Sequence, residues 1–359
     1  MAYKNESESS NSSKVRLDGN PKIDYFHNKD NLLIRTYAWQ VKDPIGALFL
    51  VHGFNSHVRF EYMKHNVTIE NNEKVTIKDI NNFYIYENSW IDHINKKGFS
   101  VYAMDLQGHG ESEGYKNMKL NVRKFDDFVY DYIQYMNRIH DTLCLVNIKS
   151  NDNTSIHDNI TSTKIPPFYL MGLSMGGNIV YRTLELLNKS KDSYNKLNIK
   201  GCVSLAGMLS IDILLKKPIF KYFLLPFSKV FATIIPYFRV GPGIQLKRFA
   251  FVQELFKIDT YVSSKPGTCN LQYECLNAIK NINNDINYIP ENIPLLFIHS
   301  KEDSLCDYEG VKEFYNKIKS KNKEFFTLEG MDHMITMEPG YENVMNKVIE
   351  LLTKTSESA

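Results

Sequence analysis

Six short apolar runs recur along the chain: Ala47-Leu48-Phe49-Leu50-Val51, Ser100-Val101-Tyr102-Ala103-Met104, Phe168-Tyr169-Leu170-Met171, Cys202-Val203-Ser204-Leu205, Leu295-Leu296-Phe297-Ile298 and Phe325-Phe326-Thr327-Leu328. None alternates strictly between apolar and polar, so each suits a strand covered on both faces, the situation inside a parallel sheet. Helical periodicity lies between them, clearest from Asn121 to Ile139, where Val122, Phe125, Val129, Tyr132, Ile133 and Met136 recur every three or four residues. Strands alternating with helices predict βαβ units and an α/β fold with a doubly wound, mostly parallel central sheet flanked by helices. Ahead of them, Pro21 to Val41 carries two alternating segments about the turn-forming cluster Asn28-Lys29-Asp30-Asn31, which predicts an opening β-hairpin.

Three stretches break this rhythm. Residues 66–82 and 147–164 are polar and Asn-rich and read as surface loop insertions. Residues 208–290 separate two predicted core strands by far more than a simple connection needs. Their aromatic and aliphatic residues, Phe220, Tyr222, Phe223, Phe227, Phe231, Ile234, Ile235 and Phe238 among them, predict a helical cap laid over the active edge of the sheet. The 359 residues therefore divide into a polar tail at 1–20, a core at 21–207 and 291–355, and the inserted cap at 208–290.

Hydrophobic residues make up 43% and charged residues 23%, enough apolar material for a buried core. A formal net charge of +2 builds no field that would draw a polyanion, so nucleic acid is not an expected partner. Five cysteines, scattered and without CxxC pairs, suit a reducing compartment, and the expected location is cytoplasmic. The opening MAYKNESESSNSSK has no apolar stretch to serve as a secretory signal, and Ala2 in place of Gly excludes N-myristoylation. The most apolar neighbourhood, Pro218 to Phe238, is interrupted by Lys221, Pro226, Lys229 and Pro236, too often for a spanning helix of about 20 residues.

Directly after the third apolar run comes Gly172-Leu173-Ser174-Met175-Gly176-Gly177. A serine between small residues at a strand end can occupy a sharp strand-to-helix turn with its hydroxyl exposed, the arrangement of a nucleophile elbow. Acyl transfer by such a serine needs a base, an acid to orient the base, and donors for the oxyanion. The acid and base should follow later strands in that order. Asp303 falls after the fifth run and His333 after the sixth, with Glu302 and Asp307 as alternatives to Asp303 and His299 as a competitor for the base. His299 lies inside a predicted strand and reads better as a buried, hydrogen-bonded core residue. The backbone N–H of Met175 and that of Phe54, in the loop His52-Gly53-Phe54-Asn55, are the expected oxyanion donors. Gly53, Asn55 and Leu173 border the same place and are expected to meet substrate.

Taken together, His52-Gly53-Phe54 with His57 and Arg59-Phe60, Asp105-Leu106-Gln107-Gly108-His109-Gly110 through Gly114, Gly172 to Gly177, Asp303 to Asp307 and Glu329 to His333 resemble the monoacylglycerol lipase and lysophospholipase branch of the α/β-hydrolases. The likeness runs from about Tyr25 to Leu352, and the Asn-rich insertions resemble those of protozoan-parasite homologues. It implies an α/β-hydrolase fold with Ser174 as nucleophile, Asp303 as acid, His333 as base, Phe54 and Met175 as oxyanion donors, a carboxylic-ester substrate under a hydrophobic cap, and no cofactor. The family usually places His immediately before the serine, where this chain has Leu173, which puts local packing and chain-length preference in question. Asp105 and His109, in the family's most recognisable loop, read as structural.

The leading expectation is a serine hydrolase of lysophospholipids, monoacylglycerols or other simple esters. A peptidase or acyltransferase would use the same residues with another acceptor, and a catalytically silent binding protein would share only the fold. Phe223, Leu224, Leu225 and Phe227 beside Lys216, Lys217, Lys221 and Lys229 suggest transient contact between the cap and a lipid surface.

Overall fold

The computed structural model describes residues 16–152, 165–190, 196–210, 212–216, 218–239, 246 and 248–357. An eight-stranded sheet runs through them. Its members are β1 (Lys22–His27), β2 (Leu33–Trp39), β3 (Gly46–Val51), β4 (Phe99–Met104), β5 (Phe168–Leu173), β6 (Ile199–Leu205), β7 (Leu295–Ser300) and β8 (Lys323–Leu328). They lie side by side in the order β1-β2-β4-β3-β5-β6-β7-β8. β1 and β2 form the expected hairpin, β2 pairs antiparallel with β4, and every later pairing is parallel.

All six apolar runs are sheet strands, and the two core clusters explain why they do not alternate. Phe49, Val51, Leu170, Cys202 and Phe297 face one cluster, while Leu48, Leu50, Tyr169, Met171, Val203, Leu205 and Leu296 face the other. The first cluster is completed by α2 (Asp126–Asp152), α3 (Met175–Lys189), α6 (Cys269–Asn284) and α7 (Tyr308–Lys317). The second is completed by α1 (Trp90–Lys96), α5 (Ala250–Ile258) and α8 (Tyr341–Ser356). Each large side chain so buried contributes about 1.5–3 kcal/mol, and the central strands carry one on nearly every residue.

The helix expected over 121–139 instead runs from Asp126 to Asp152. Val122 and Phe125 do enter the core, but from an irregular approach in which Leu120 has φ 50° and the Asp127 carboxylate accepts the Lys124 N–H. The far end of α2 takes up the start of the second Asn-rich segment, and 153–164 lie outside the described residues.

The first Asn-rich segment is a small hairpin, Val67–Glu70 paired antiparallel with Lys74–Ile77. Its turn is Asn71-Asn72-Glu73, with both asparagines at positive φ (54° and 57°), a conformation asparagine tolerates better than other residues with a Cβ. The composition that suggested a loop is thus the composition of a tight turn. The hairpin is braced against α5, whose Phe251 N–H donates to the Asn72 carbonyl at 3.0 Å.

Between β6 and β7 lie a short helix (Asp212–Leu215), a π-helical turn (Phe220–Leu224) that leads into α4 (Leu225–Ile234), then α5 and α6. Thr268 caps α6 by accepting the Leu271 N–H at 3.2 Å. α6 is built into the body through Leu271, Ala278 and Ile282, and Arg182 of α3 pairs with Asp285 just beyond its end. α4 buries only Ala232, while Ile219, Tyr222, Phe223, Phe227, Ile234 and Phe238 along this stretch stay exposed. Among the described residues no helix is long and apolar enough to cross a membrane.

Asn72→Ile should destabilise the hairpin by about 1–2 kcal/mol, the cost of a left-handed backbone for a residue with a branched Cβ, whereas Asn72→Gly should be neutral. Thermal denaturation of the two variants beside the native chain checks this.

Candidate active site

At the junction of β5 and α3 the chain turns within one residue, and Ser174 sits there with φ 55° and ψ −116°. A non-glycine residue in that region costs about 1–3 kcal/mol. Backbone hydrogen bonds hold it: Ser174 N–H donates to the Leu205 carbonyl at 2.8 Å, and the Ser174 carbonyl accepts from Gly177 N–H and Met208 N–H, both at 2.9 Å, and from Asn178 N–H at 3.3 Å. The glycines are there because nothing larger fits. A Cβ on Gly172 would stand 2.2 Å from the carbonyl carbon of Gly176, and one on Gly176 would stand 2.4 Å from the Val51 carbonyl oxygen. Ser174 is left partly exposed at the N-terminus of α3, where the unpaired N–H groups and the helix dipole favour negative charge.

Asp303 and His333, from the loops after β7 and β8, meet in the same place. His333 Nδ1 lies 3.0 and 2.9 Å from the two Asp303 oxygens. Asp303 also accepts the N–H groups of Leu305 and Cys306 at 2.8 Å each, and His299 Nε2 is 3.2 Å away. Burial favours the neutral acid, but the two histidines overcome it and hold the Asp303 carboxyl far below its ordinary range. Burial likewise works against charge on His333, and the Asp303 carboxylate reverses that, so its pKa is raised. The two loops are stitched together further out. Ser300 Oγ donates to the Met331 carbonyl at 2.6 Å, Ser304 N–H donates to Asp332 at 2.8 Å, and Gly330 N–H donates to Glu302 at 3.1 Å.

The alternatives to Asp303 are engaged elsewhere. Glu302 serves the Gly330 cross-link just described. Asp307 is the N-cap of α7, accepting the Gly310 N–H at 3.0 Å, and pairs with Lys216. His299 is buried, with Nε2 bonded to the Cys306 carbonyl at 3.0 Å.

The loop after β3 runs beside Ser174. A Cβ on Gly53 would lie 3.2 Å from the serine Cβ and 3.1 Å from Glu61 Oε1. Glu61, on the short helix Val58–Tyr62, is buried and accepts the Gly53 N–H at 2.8 Å. Burial pushes its carboxyl up to about 8. His52 braces the loop from behind: its Nδ1–H donates to the Gly53 carbonyl at 2.8 Å while Nε2 accepts the Leu106 N–H at 2.9 Å. That acceptor role requires the neutral ring, and burial lowers its pKa to about 3. Neither Phe54 N–H nor Met175 N–H meets a protein acceptor among the described residues. Asp105 accepts from Val58 N–H, Glu111 N–H and the Tyr37 hydroxyl at 2.9–3.1 Å, so it holds the loop beneath the site.

Leu173 is fully buried beneath the elbow, and the Asn55 side chain is taken up by Ser263, donating to its carbonyl at 3.0 Å and accepting its N–H at 2.9 Å. Residues outside the expected triad complete the surroundings. Cys306 is buried within hydrogen-bonding reach of Ser174, with its thiol pKa raised by burial. Asp259, from beyond α5, bonds His57 at 3.2 Å and the Tyr84 hydroxyl. Only Asp303-Ser304-Leu305-Cys306-Asp307 gave any sequence signal for these, because Glu61 and Asp259 become neighbours of the site through folding. Among the described residues no group of three or more His, Cys, Asp and Glu is arranged to hold a metal ion.

This sheet, with a strained serine at the end of its fifth strand, is that of an α/β-hydrolase. Residues 83–340 match the Hydrolase_4 family, described as serine aminopeptidase, S33, and the chain belongs to that family. It is similar to the phospholipase YtpA of Bacillus subtilis, 19% identical over 86% of this chain and 95% of that one. It is also similar to human monoglyceride lipase, 24% identical over 66% of this chain and 67% of that one. A soluble variant of monoglyceride lipase from Saccharomyces cerevisiae, solved with a substrate analog, superposes with a TM-score of 0.67 at 18% identity, covering 93% of this chain and 95% of that one. The monoacylglycerol lipase of Paleococcus ferrophilus gives 0.63 at 20% identity, covering 90% and 99%. The chain is thus an α/β-hydrolase-fold enzyme of the Hydrolase_4 family.

Gly176→Ala should lose at least the roughly 1–3 kcal/mol typical of overpacking, because both contacting groups are backbone; thermal denaturation reads it. In an NMR titration His333 should show a pKa above the ordinary 6.5, and Asp303→Asn should bring it down, since the largest charge that opposes burial is then gone.

Proposed function

We propose that this enzyme hydrolyses carboxylic esters through Ser174, His333 and Asp303. The observation that carries the reading is the Asp303 carboxylate bound to His333 Nδ1, in loops that follow strands of the same sheet as the strained serine. That bond commits the Nδ1 proton to Asp303 and leaves Nε2 to accept the Ser174 hydroxyl proton. Ser174 Oγ then attacks the ester carbonyl, the oxyanion is received by the Phe54 and Met175 N–H groups, and His333 returns its proton to the leaving alcohol. Water, activated by the same imidazole, releases the acid from the acyl-enzyme. One oxyanion donor is typically worth about 10² to 10³ in rate, so the bracing of Gly53 by Glu61 and His52 bears directly on turnover.

A lysophospholipid, a monoacylglycerol or another simple ester is the substrate class we infer, supported by the lipases and phospholipase that the chain resembles and by the apolar segment between β6 and β7. In this reading residues 208–290 form the cap over the acyl chain, anchored to the body by α6, and the Asn-rich segments are peripheral. The exposed stretch 218–239 carries Lys221, Lys229 and Arg239 and no acidic residue, which suits brief contact with an anionic lipid surface. The family's description as serine aminopeptidase favours a peptide as the second substrate class.

Hydrolysis of p-nitrophenyl esters of rising acyl length, beside lysophosphatidylcholine, monoacylglycerol and aminoacyl p-nitroanilides, tests these readings. Turnover of long-chain esters, abolished in a folded Ser174→Ala, is the expected result; retained turnover in that variant would remove Ser174 from the mechanism, and cleavage of the anilides alone would make the enzyme a peptidase. Phe227→Glu should weaken partitioning onto anionic vesicles without changing hydrolysis of short soluble esters, and equal partitioning would dismiss the membrane contact.

A further inference from the structure

Glu338 lies five residues beyond His333, outside every motif described above. It is 1% exposed, and both of its oxygens are occupied. Oε2 accepts the Asp332 N–H at 2.6 Å and Oε1 accepts the Met334 N–H at 2.8 Å. Those are the backbone N–H groups on either side of His333, so one carboxylate spans the chain across the residue that carries the imidazole. The turn between them is closed by its own backbone, Met337 N–H and Glu338 N–H both donating to the Met334 carbonyl at 3.0 and 3.1 Å. It is pinned to the body by Trp90, whose indole N–H donates to the Thr336 carbonyl at 2.8 Å.

We propose that Glu338 is a positioning residue for His333: its carboxylate clamps the Asp332 and Met334 N–H groups and so fixes the backbone from which the imidazole reaches Asp303. The proposal rests on His333 being the general base. The arrangement calls for a carboxylate in particular, because only two acceptor oxygens on one rigid group serve two N–H donors; a glutamine would accept one and present an N–H₂ to the other. The clamp also places negative charge near the imidazole. The ionisable groups that bear on His333 are Asp303 from the loop after β7, Asp332 and Glu338 from its own loop, and Glu61 from across the site. Burial pushes the Glu338 carboxyl up to about 7, against the pull of the two N–H groups.

Glu338→Gln and Glu338→Asp, each compared with the native chain and with Ser174→Ala and His333→Ala, test this on a soluble p-nitrophenyl ester. Glu338→Gln should lower kcat about 10- to 100-fold, the scale on which removing the partner that orients an imidazole, or misplacing a reacting group by about 1 Å, acts. KM should be unchanged. The acid limb of kcat/KM should move to lower pH, because the Asp303 bond that helps His333 keep its proton is then poorly held, and the downfield proton signal of the His333–Asp303 bond should broaden or vanish. Glu338→Asp, which keeps the charge and both acceptors on a shorter arm, should recover part of kcat and leave the acid limb in place. A lowered melting temperature with native kcat, acid limb and proton signal in both variants would overturn the proposal and make Glu338 a fold-holding residue only. Should Glu338→Gln not fold, a Glu338→Asp that folds with native kcat and an unchanged proton signal would overturn it equally. Activity surviving in His333→Ala would instead overturn the assignment of the base, a different result from native behaviour in the Glu338 variants.

Discussion

The site depends on one steric constraint, the approach of the β5-to-α3 turn to the backbones of β3 and β6. Val51, at the end of β3, lies where a side chain at position 176 would go, and Leu205, at the end of β6, receives the N–H of Ser174. A serine at φ 55° is stable only because surrounding backbone over-determines it. The parallel sheet thus supplies strand ends in register as well as a core. It brings the Phe54 loop, the serine, and the Asp303 and His333 loops to one edge.

Electrostatics then sorts the ionisable groups around that edge into different roles. Asp303, His333, Glu61 and His52 are all buried, yet burial has its way only with Glu61 and His52, which are drawn toward their neutral forms. Asp303 and His333 escape it by facing each other, since an opposite charge within hydrogen-bonding distance outweighs desolvation for both partners. The neutral groups brace the backbone while the paired groups keep their charge. The cross-links from Ser300, Ser304 and Glu302 to the His333 loop show the same division, because hydroxyls, N–H groups and an outlying carboxylate maintain a distance on which the pair depends.

Much of this was legible in the chain itself. Two-sided burial leaves a run of apolar residues with no polar alternation, and all six such runs became strands. A close backbone approach leaves glycines, and Gly172 and Gly176 marked the turn. The Asn-rich segment at 66–82 misled because asparagine is common both in loops and in the left-handed turns of tight hairpins, and only the alternation of Val67, Ile69, Val75 and Ile77 separates the two. The helix after Asn121 began late because apolar residues of an irregular approach can fill a core as well as helical ones.

Sequence by itself determined the class of fold, the order of its elements and the residue types available for the chemistry, since these depend on local periodicity and on steric demands within a few positions. It also singled out Asp303 among three neighbouring acids only as a candidate. Tertiary structure gives each a different partner: Asp307 caps a helix, Glu302 ties a loop and Asp303 holds an imidazole. It alone placed Glu61 against Gly53, Cys306 against Ser174 and Asp259 against His57. These contacts join residues from separate elements, and no local pattern records which distant group will share a buried space with which.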